Sequence, residues 1–289
     1  MTRSLWMVIW NLLITGSGKL LMVAVTASVL LLRAWAGEPP SGHLVIAGSG
    51  TALPSIRPLA EAFGRVHPDN KISIPHSLGS TGGIRAVADG AITVGLTSRP
   101  LRGLEKKWGL TVLPYARTVV VIAAHPSVAE DAITSDELVQ IYKGRKSRWR
   151  DGREIIVLTR EPGNSSLLVL EQEVPGFREA YDEGVRAERW AIMYTYEEMI
   201  EALARTPYAI GLADMGAITS QRLPIKGLKF NGVLPTPENV LSGRYPLVKT
   251  MAFVFLKDKL PAGAEAFMTF VRSREGKKIL RANGYLPAE

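Results

Sequence analysis

From Leu44 onward the chain alternates short apolar runs with stretches of helical spacing. An apolar run predicts a strand over 44–47, and Ile56, Leu59, Ala60 and Phe63 recur at helical intervals over 54–66. The unit repeats with an alternating strand over 71–75, a short helix over 84–88 and a strand over 92–96. Further on, the pattern predicts a helix over 135–142, with Ser135 as N-cap and a stop before Gly144. A strand over 154–158, helices over 167–173 and 196–204, and a strand over 208–212 follow. Closing helices are predicted over 262–273 and 275–283, the second stopped by Gly284. Strands separated by helices predict parallel β-α-β units and an α/β fold.

Two apolar strands, over 118–124 (TVVVIAA) and 250–256, break this rhythm, and a Pro/Gly-rich connector over 231–246 precedes the second. Continuous apolar runs suit strands buried on both faces. As crossover strands they predict a discontinuous first lobe, 38–115 plus 247–289, and an inserted second lobe, 116–246. No internal repeat is present.

The first 36 residues differ in kind. A basic residue, Lys19, precedes an apolar run over 20–32, and Ala34-Trp35-Ala36 stands before Gly37. That pattern predicts a secretory signal peptide over 1–36, cleaved after Ala36. The apolar run is shorter than the ~20 residues a membrane-spanning helix needs; an uncleaved anchor is the alternative. The segment contains Arg3, Lys19 and Arg33 and no acid, so its removal lowers the formal net charge of +8 but leaves it positive. A mildly basic exported chain suits an anionic ligand. The basic bunch at 143–153 has no interleaved aromatic ladder, so it reads as a solvated face and predicts no nucleic-acid partner. The chain has no cysteine, which excludes disulfides, a thiol nucleophile, thiolate metal sites and a lipid anchor on an N-terminal cysteine. The expected location is the periplasm, with free secretion second.

Most catalytic chemistry finds no support. His43, His67, His76 and His125 match no zinc spacing, so no metal and no other cofactor is expected. No G-x-S-x-G elbow occurs, and no acidic pair stands out for acid–base work. GSGK at 16–19 lies in the signal segment with Leu20 where a P-loop needs a hydroxyl, and GSGTAL at 48–53 has Leu53 in place of the third glycine of a dinucleotide fingerprint. The chain is therefore not expected to be an enzyme.

Four turns rich in Gly, Ser and Thr remain: GSGT at 48–51, GSTGG at 79–83, TSRPL at 97–101 and REPGNSS at 160–166. Three follow predicted strands and two lead into helices. Glycine permits close backbone approach, hydroxyls donate, and helix N-termini offer free N–H groups and a positive dipole end. Arg160 supplies a countercharge with a planar fork. N-capping alone would also explain Ser80 or Ser135. The shared composition in strand-to-helix order points to one oxyanion pocket at the carboxyl ends of strands.

These motifs resemble the periplasmic phosphate-binding proteins of ABC transporters. The likeness runs through AGSGT (47–51), GSTGGIRAVADG (79–90), VGLTSRPL (94–101), REPGNSS, VLPTPENVLSGRYPL (233–247) and SREGKKILRANGYLP (273–287). The resemblance implies a type II two-lobed α/β fold, each lobe a mainly parallel sheet with flanking helices, joined by two crossover strands. It implies a monomer that captures phosphate between the lobes and delivers it to an inner-membrane ABC permease. Sulfate or molybdate, or a ligand-sensing role for a membrane sensor, are the alternatives. Residue by residue it places Gly50, Thr51, Ser80, Thr81, Ser98, Arg160, Asn164, Ser165 and Ser166 at the anion. Many relatives carry Asp where Ser98 stands, and Gly-Ser-Gly-Thr where this chain has Gly163 to Ser166. Asn164 is expected to donate through its amide, and Ser165, replacing a glycine, to crowd the anion or strain the backbone.

Overall fold

The structure, a computed structural model, describes residues 43–289. The predicted signal segment lies outside the described residues. Leu44–Glu289 form one compact unit.

The expected alternation is present. β1 (His43–Gly48) leads into the helix Leu53–Val66, whose Leu53, Ile56, Leu59 and Phe63 are buried along one face. β2 (Lys71–Ser73), the helix Gly79–Ala88 and β3 (Val94–Thr97) follow. The helix Gly79–Ala88 begins five residues before its apolar pattern does, so GSTGG is the helix's first turn and a half rather than a loop before it. Ser80 therefore lies inside the helix and does not cap it. Next comes β4 (Thr111–Ala124), seven residues longer at its start than the apolar run, because its first four positions alternate half-buried and exposed. After the short β5 (Ala132–Ile133), the helix Ser135–Tyr142 is capped by Thr134 and not by Ser135: Thr134 and Glu137 form a reciprocal capping box.

β6 (Ile156–Arg160), β7 (Ala191–Met193) and β8 (Ala209–Asp214) run parallel to one another. Between them lie the helices Ser165–Glu173, Phe177–Arg186 and Tyr196–Arg205. The helices Phe177–Arg186 and Met215–Gln221, and β7, have no counterpart among the predicted elements. β9 (Lys226–Gly227) and β10 (Lys229–Phe230) lead into the connector, which holds a short helix, Pro237–Leu241. β11 (Val248–Phe255), the helices Ala262–Arg272 and Arg274–Ala282, and β12 (Leu286–Pro287) close the chain.

The main sheet runs in the order β2-β1-β3-β11-β4-β8-β6-β7, with β9 and β12 also pairing β4. Its flanks are parallel; β11 and β4 at its centre are antiparallel to each other. Residues 111–119 of β4 pair with β11, and Val120–Ala124 pair with β8, so one strand serves both halves of the sheet. The cores divide at the same place. One apolar cluster takes Leu44 to Ala116 and Met251 to Tyr285. Two others take Val119 to Leu247, joined by Leu286. This is the two-lobed α/β architecture, its α/β class expected from the alternation of elements and its lobes from the two long apolar strands and the family resemblance.

Candidate functional site

Three of the four glycine–hydroxyl turns converge on a cavity of about 170 Å³. It is lined by Ser49, Gly50 and Thr51 from the turn after β1, by Ser80 and Thr81 from the helix Gly79–Ala88, and by Arg160, which ends β6, through Ser166. Arg99, from the remaining turn at 97–101, and Tyr196, Met199 and Leu212 complete most of the wall. Eight of the nine expected residues line this cavity, and Ser98 does not.

Backbone constraints set the turns. Gly48 has φ +140°, and a Cβ there would lie 2.8 Å from the amide nitrogen of Leu96, so only glycine fits where the turn leaves β1. Leu78 N–H donates to Gly48 O at 3.0 Å, which ties the start of the second helix to β1. The fourth turn is shaped by Asn164. Its Oδ1 accepts from Ser166 N–H at 3.0 Å as the N-cap, while its amide donates to Glu161 at 3.3 Å. Asn164 thus gives one of its two amide N–H donors to Glu161. Ser165 adopts an ordinary negative φ within the helix, so the expected backbone strain is absent; Gly163, at φ +80°, takes the left-handed position.

The hydroxyl groups share one arrangement. Ser80 Oγ accepts from Ser98 N–H (3.1 Å), and Thr81 Oγ1 accepts from Arg99 Nη2 (2.9 Å). Thr51 Oγ1 and Ser166 Oγ each accept from Lys249 Nζ, both at 2.8 Å. A hydroxyl that accepts from a protein donor keeps its own proton for another partner. Four lining hydroxyls are therefore set up as donors.

The two arginines differ. Arg99 is engaged through both Nη groups: they meet both carboxylate oxygens of Glu105 (2.8 and 2.7 Å), and Nη1 also donates to Pro100 O, while its buried Nε bonds no described residue. That contact holds the Glu105 carboxyl below the ordinary glutamate range. Arg160 donates through Nε and Nη2 to Glu161 and through Nη2 to Tyr194 O, and its Nη1 bonds no described residue. Ser98 Oγ bonds Ser49 Oγ and, at 3.1 Å, Ser165 Oγ. It lines a different cavity, of about 600 Å³, on the other side of those serines. Ser98 reaches the first cavity only through its hydroxyl neighbours.

Lys249 and Asp214 were missed in the sequence. Both are buried, with Nζ 2.9 Å from Asp214 Oδ1. The contact is an ion pair: neither Asp214 carboxylate oxygen accepts an aligned hydrogen bond from a described residue. Burial lowers the Lys249 pKa, with the Asp214 charge opposing and Arg160 adding to the shift. Burial, and then the same Asp214 charge, raise the Tyr196 pKa well above the ordinary phenol value. The signals were a lysine inside an apolar strand (VKTMAFVF) and an aspartate closing another (AIGLAD). Each lies one or two residues beyond the apolar run by which its strand was recognised.

A two-lobed α/β scaffold with a donor-lined cavity between the turns that follow its strands defines a solute-binding protein. Residues 34–275 match the model of the PBP superfamily domain, and the chain belongs to that superfamily. It is similar to the phosphate-binding protein PstS of Bacillus subtilis (strain 168), with 26% identity covering 86% of this chain and 82% of the relative. A crystal structure from Clostridium perfringens, assigned as a phosphate ABC transporter substrate-binding protein and holding bound phosphate, superposes with a TM-score of 0.77. Identity there is 25%, covering 86% of this chain and all of that one. An ABC-type phosphate transport receptor from Vibrio cholerae shares the fold at TM-score 0.61 and 22% identity, over 84% of this chain and 99% of its own.

Proposed function

We propose that this protein captures phosphate in the cavity between its lobes and delivers it to an ABC permease. The carrying observation is that four lining hydroxyls each accept a bond from a protein N–H, leaving their protons to face an anion beside Arg160. In a water-poor site such preset donors are worth more than in solvent. The PstS relative and the phosphate-holding neighbour support phosphate as the anion. Gly50, Thr51, Ser80, Thr81, Arg160, Asn164, Ser165 and Ser166 form the proposed site, with Ser98 acting through Ser49 and Ser165. The proposed lobes are 38–115 with 247–289, and 116–246; the change of core between Ala116 and Val119 supports that division. The protein binds and releases its ligand without bond chemistry and works as a monomer.

Another oxyanion is the second reading, because Glu161 is the sole lining acid and it is engaged by Arg160. Phosphate keeps a proton at neutral pH that needs an acceptor; sulfate does not. Calorimetry on ligand-stripped protein against phosphate, arsenate, sulfate and molybdate tests the choice. Phosphate should bind most tightly, and a preference for sulfate or molybdate would replace this assignment. Export is proposed through cleavage after Ala36, and no helix among the described residues is long and apolar enough to cross a membrane. N-terminal sequencing of exported protein should begin at Gly37; residues upstream of it would refute cleavage there.

A further inference from the structure

We infer that Lys249 is a positioning and specificity residue that never touches the anion: it locks the hydroxyls of Thr51 and Ser166, one from each half of the fold, as hydrogen-bond donors into the cavity. This rests on the oxyanion-binding reading above.

The geometry is specific. An ammonium group has three donors and no acceptor. The three groups around Lys249 Nζ are Thr51 Oγ1 (2.8 Å), Ser166 Oγ (2.8 Å) and Asp214 Oδ1 (2.9 Å). Two of its donors go to the hydroxyls, the Asp214 carboxylate stands beside it as an ion pair, and its side chain is 0% exposed. Thr51 and Ser166 line the anion cavity, whereas Lys249 lines only the cavity behind them. A free hydroxyl rotates and serves equally as donor or acceptor; one that accepts from a lysine keeps its proton for the cavity and has one lone pair fewer to offer. Lys249 thereby biases the wall toward donors and favours ligands rich in acceptor oxygens. Asp214 supplies the negative charge that keeps this ammonium in a buried place, so the pair brings no net charge to the anion. Its action is orientation. Lys249 stands on β11, a central strand of the sheet, and spans the turn after β1 and the helix Ser165–Glu173, so the same bonds couple closure of the two halves to the donor arrangement.

The test is a double-mutant cycle read by phosphate calorimetry. Lys249→Met with Asp214→Leu removes the ion pair without leaving a lone buried charge. This variant should weaken phosphate on the order of 100-fold, about tenfold for each hydroxyl released. Thr51→Val with Ser166→Ala should do the same. All four changes together should add no more than about threefold to either pair, because both pairs remove one device. A merely structural lysine would give losses that multiply, as independent sites do; that result, or wild-type affinity in the lysine variant, overturns the inference. A crystal structure of the wild-type phosphate complex gives a reading that needs no variant. Nζ should stay within 3.2 Å of both hydroxyl oxygens while each hydroxyl oxygen lies within 3.2 Å of a phosphate oxygen (roughly hydrogen-bond limits). Nζ in direct contact with phosphate would also overturn the inference. If wild type prefers sulfate or molybdate, the phosphate assignment fails and the same cycle runs on that anion. If none of the four anions binds, both readings fall.

Discussion

At the residue scale, the site separates two arginines that sequence alone places in similar turns. Arg99 and Arg160 are equally buried, yet Arg99 has committed both Nη groups to Glu105, Thr81 and Pro100, and Arg160 keeps Nη1 for a ligand. Removing a charged partner from a desolvated ion contact costs about 2–5 kcal/mol. Arg160→Ala should therefore weaken phosphate by at least thirtyfold, roughly the lower end of that range. Arg99→Ala should weaken it less, and titration calorimetry on both variants decides. Equal losses would mean that Arg99 turns to the anion on binding. Ser98 gives a second prediction. An aspartate there would accept from the Ser49 and Ser165 hydroxyls, which Ser98 now shares. Their protons would turn away from the cavity, and a negative charge would stand one layer behind it. Sulfate, with no proton to offer in return, should suffer more than phosphate. Competition calorimetry on Ser98→Asp should show a phosphate-to-sulfate ratio at least tenfold higher than wild type, on the order expected for an unmatched buried polar group. An unchanged ratio would move the sorting role to Glu161.

At the element scale, the helix Gly79–Ala88 lies against β1 and β3 because Gly83 has no side chain. A Cβ on Gly83 would sit 2.6 Å from Gly48 Cα and 3.0 Å from Leu96 O, both backbone atoms that cannot swing aside. Gly83→Ala should push the helix outward and carry Ser80 and Thr81 with it. The expected destabilisation is about 1–3 kcal/mol, the usual range for overpacking, together with at least tenfold weaker phosphate binding. Gly64→Ala is the contrast, since nothing lies within 4 Å of a Cβ there. It should be stabilising by about 0.4–1 kcal/mol through the unfolded chain. Chemical denaturation of both variants would show opposite shifts; a neutral Gly83→Ala would mean the helix is not held by this contact. This packing, and not apolar periodicity, sets the early start of the helix at Gly79. GSTGG lacks apolar residues, so periodicity is silent over it, and the helix there is imposed by contact with the sheet.

At the scale of the whole molecule, several carboxylates sit below their ordinary pKa, among them Glu105 through its hydrogen bonds to Arg99, and Glu137 through Lys146. A depressed folded-state value stabilises the fold above the unfolded value, 4.5 for glutamate, and that stability is lost as pH falls through the lowered one. Stability should therefore hold from neutrality to about pH 5, near the unfolded glutamate value, and drop steeply below it. Glu105→Gln should cost about 2 kcal/mol at pH 7, less than a fully buried pair because part of Glu105 meets solvent. The gap between wild type and variant should close as pH falls below the depressed value. Parallel melting curves across pH 3–7 (roughly the span of carboxylate titration) would check this, and a gap that persists at the acid end would show that the Arg99–Glu105 contact is not its source.

The amino-acid order by itself determined the α/β class, the parallel units and the turns that meet at the cavity. Each of these is local: an apolar period of two or 3.6 residues, a glycine that frees a turn, a hydroxyl beside it. Eight of the nine expected site residues line one cavity for that reason. Tertiary structure decided the rest. It placed Lys249 under Thr51 and Ser166, 198 and 83 residues away in the chain, and Asp214 against the same ammonium. It put Ser98 behind the wall and gave Asn164 to Glu161 and a helix cap. Those outcomes depend on which side chains face each other across paired strands and between lobes. A charged residue within an apolar strand looks like an imperfection in the period until the fold brings its partners to it.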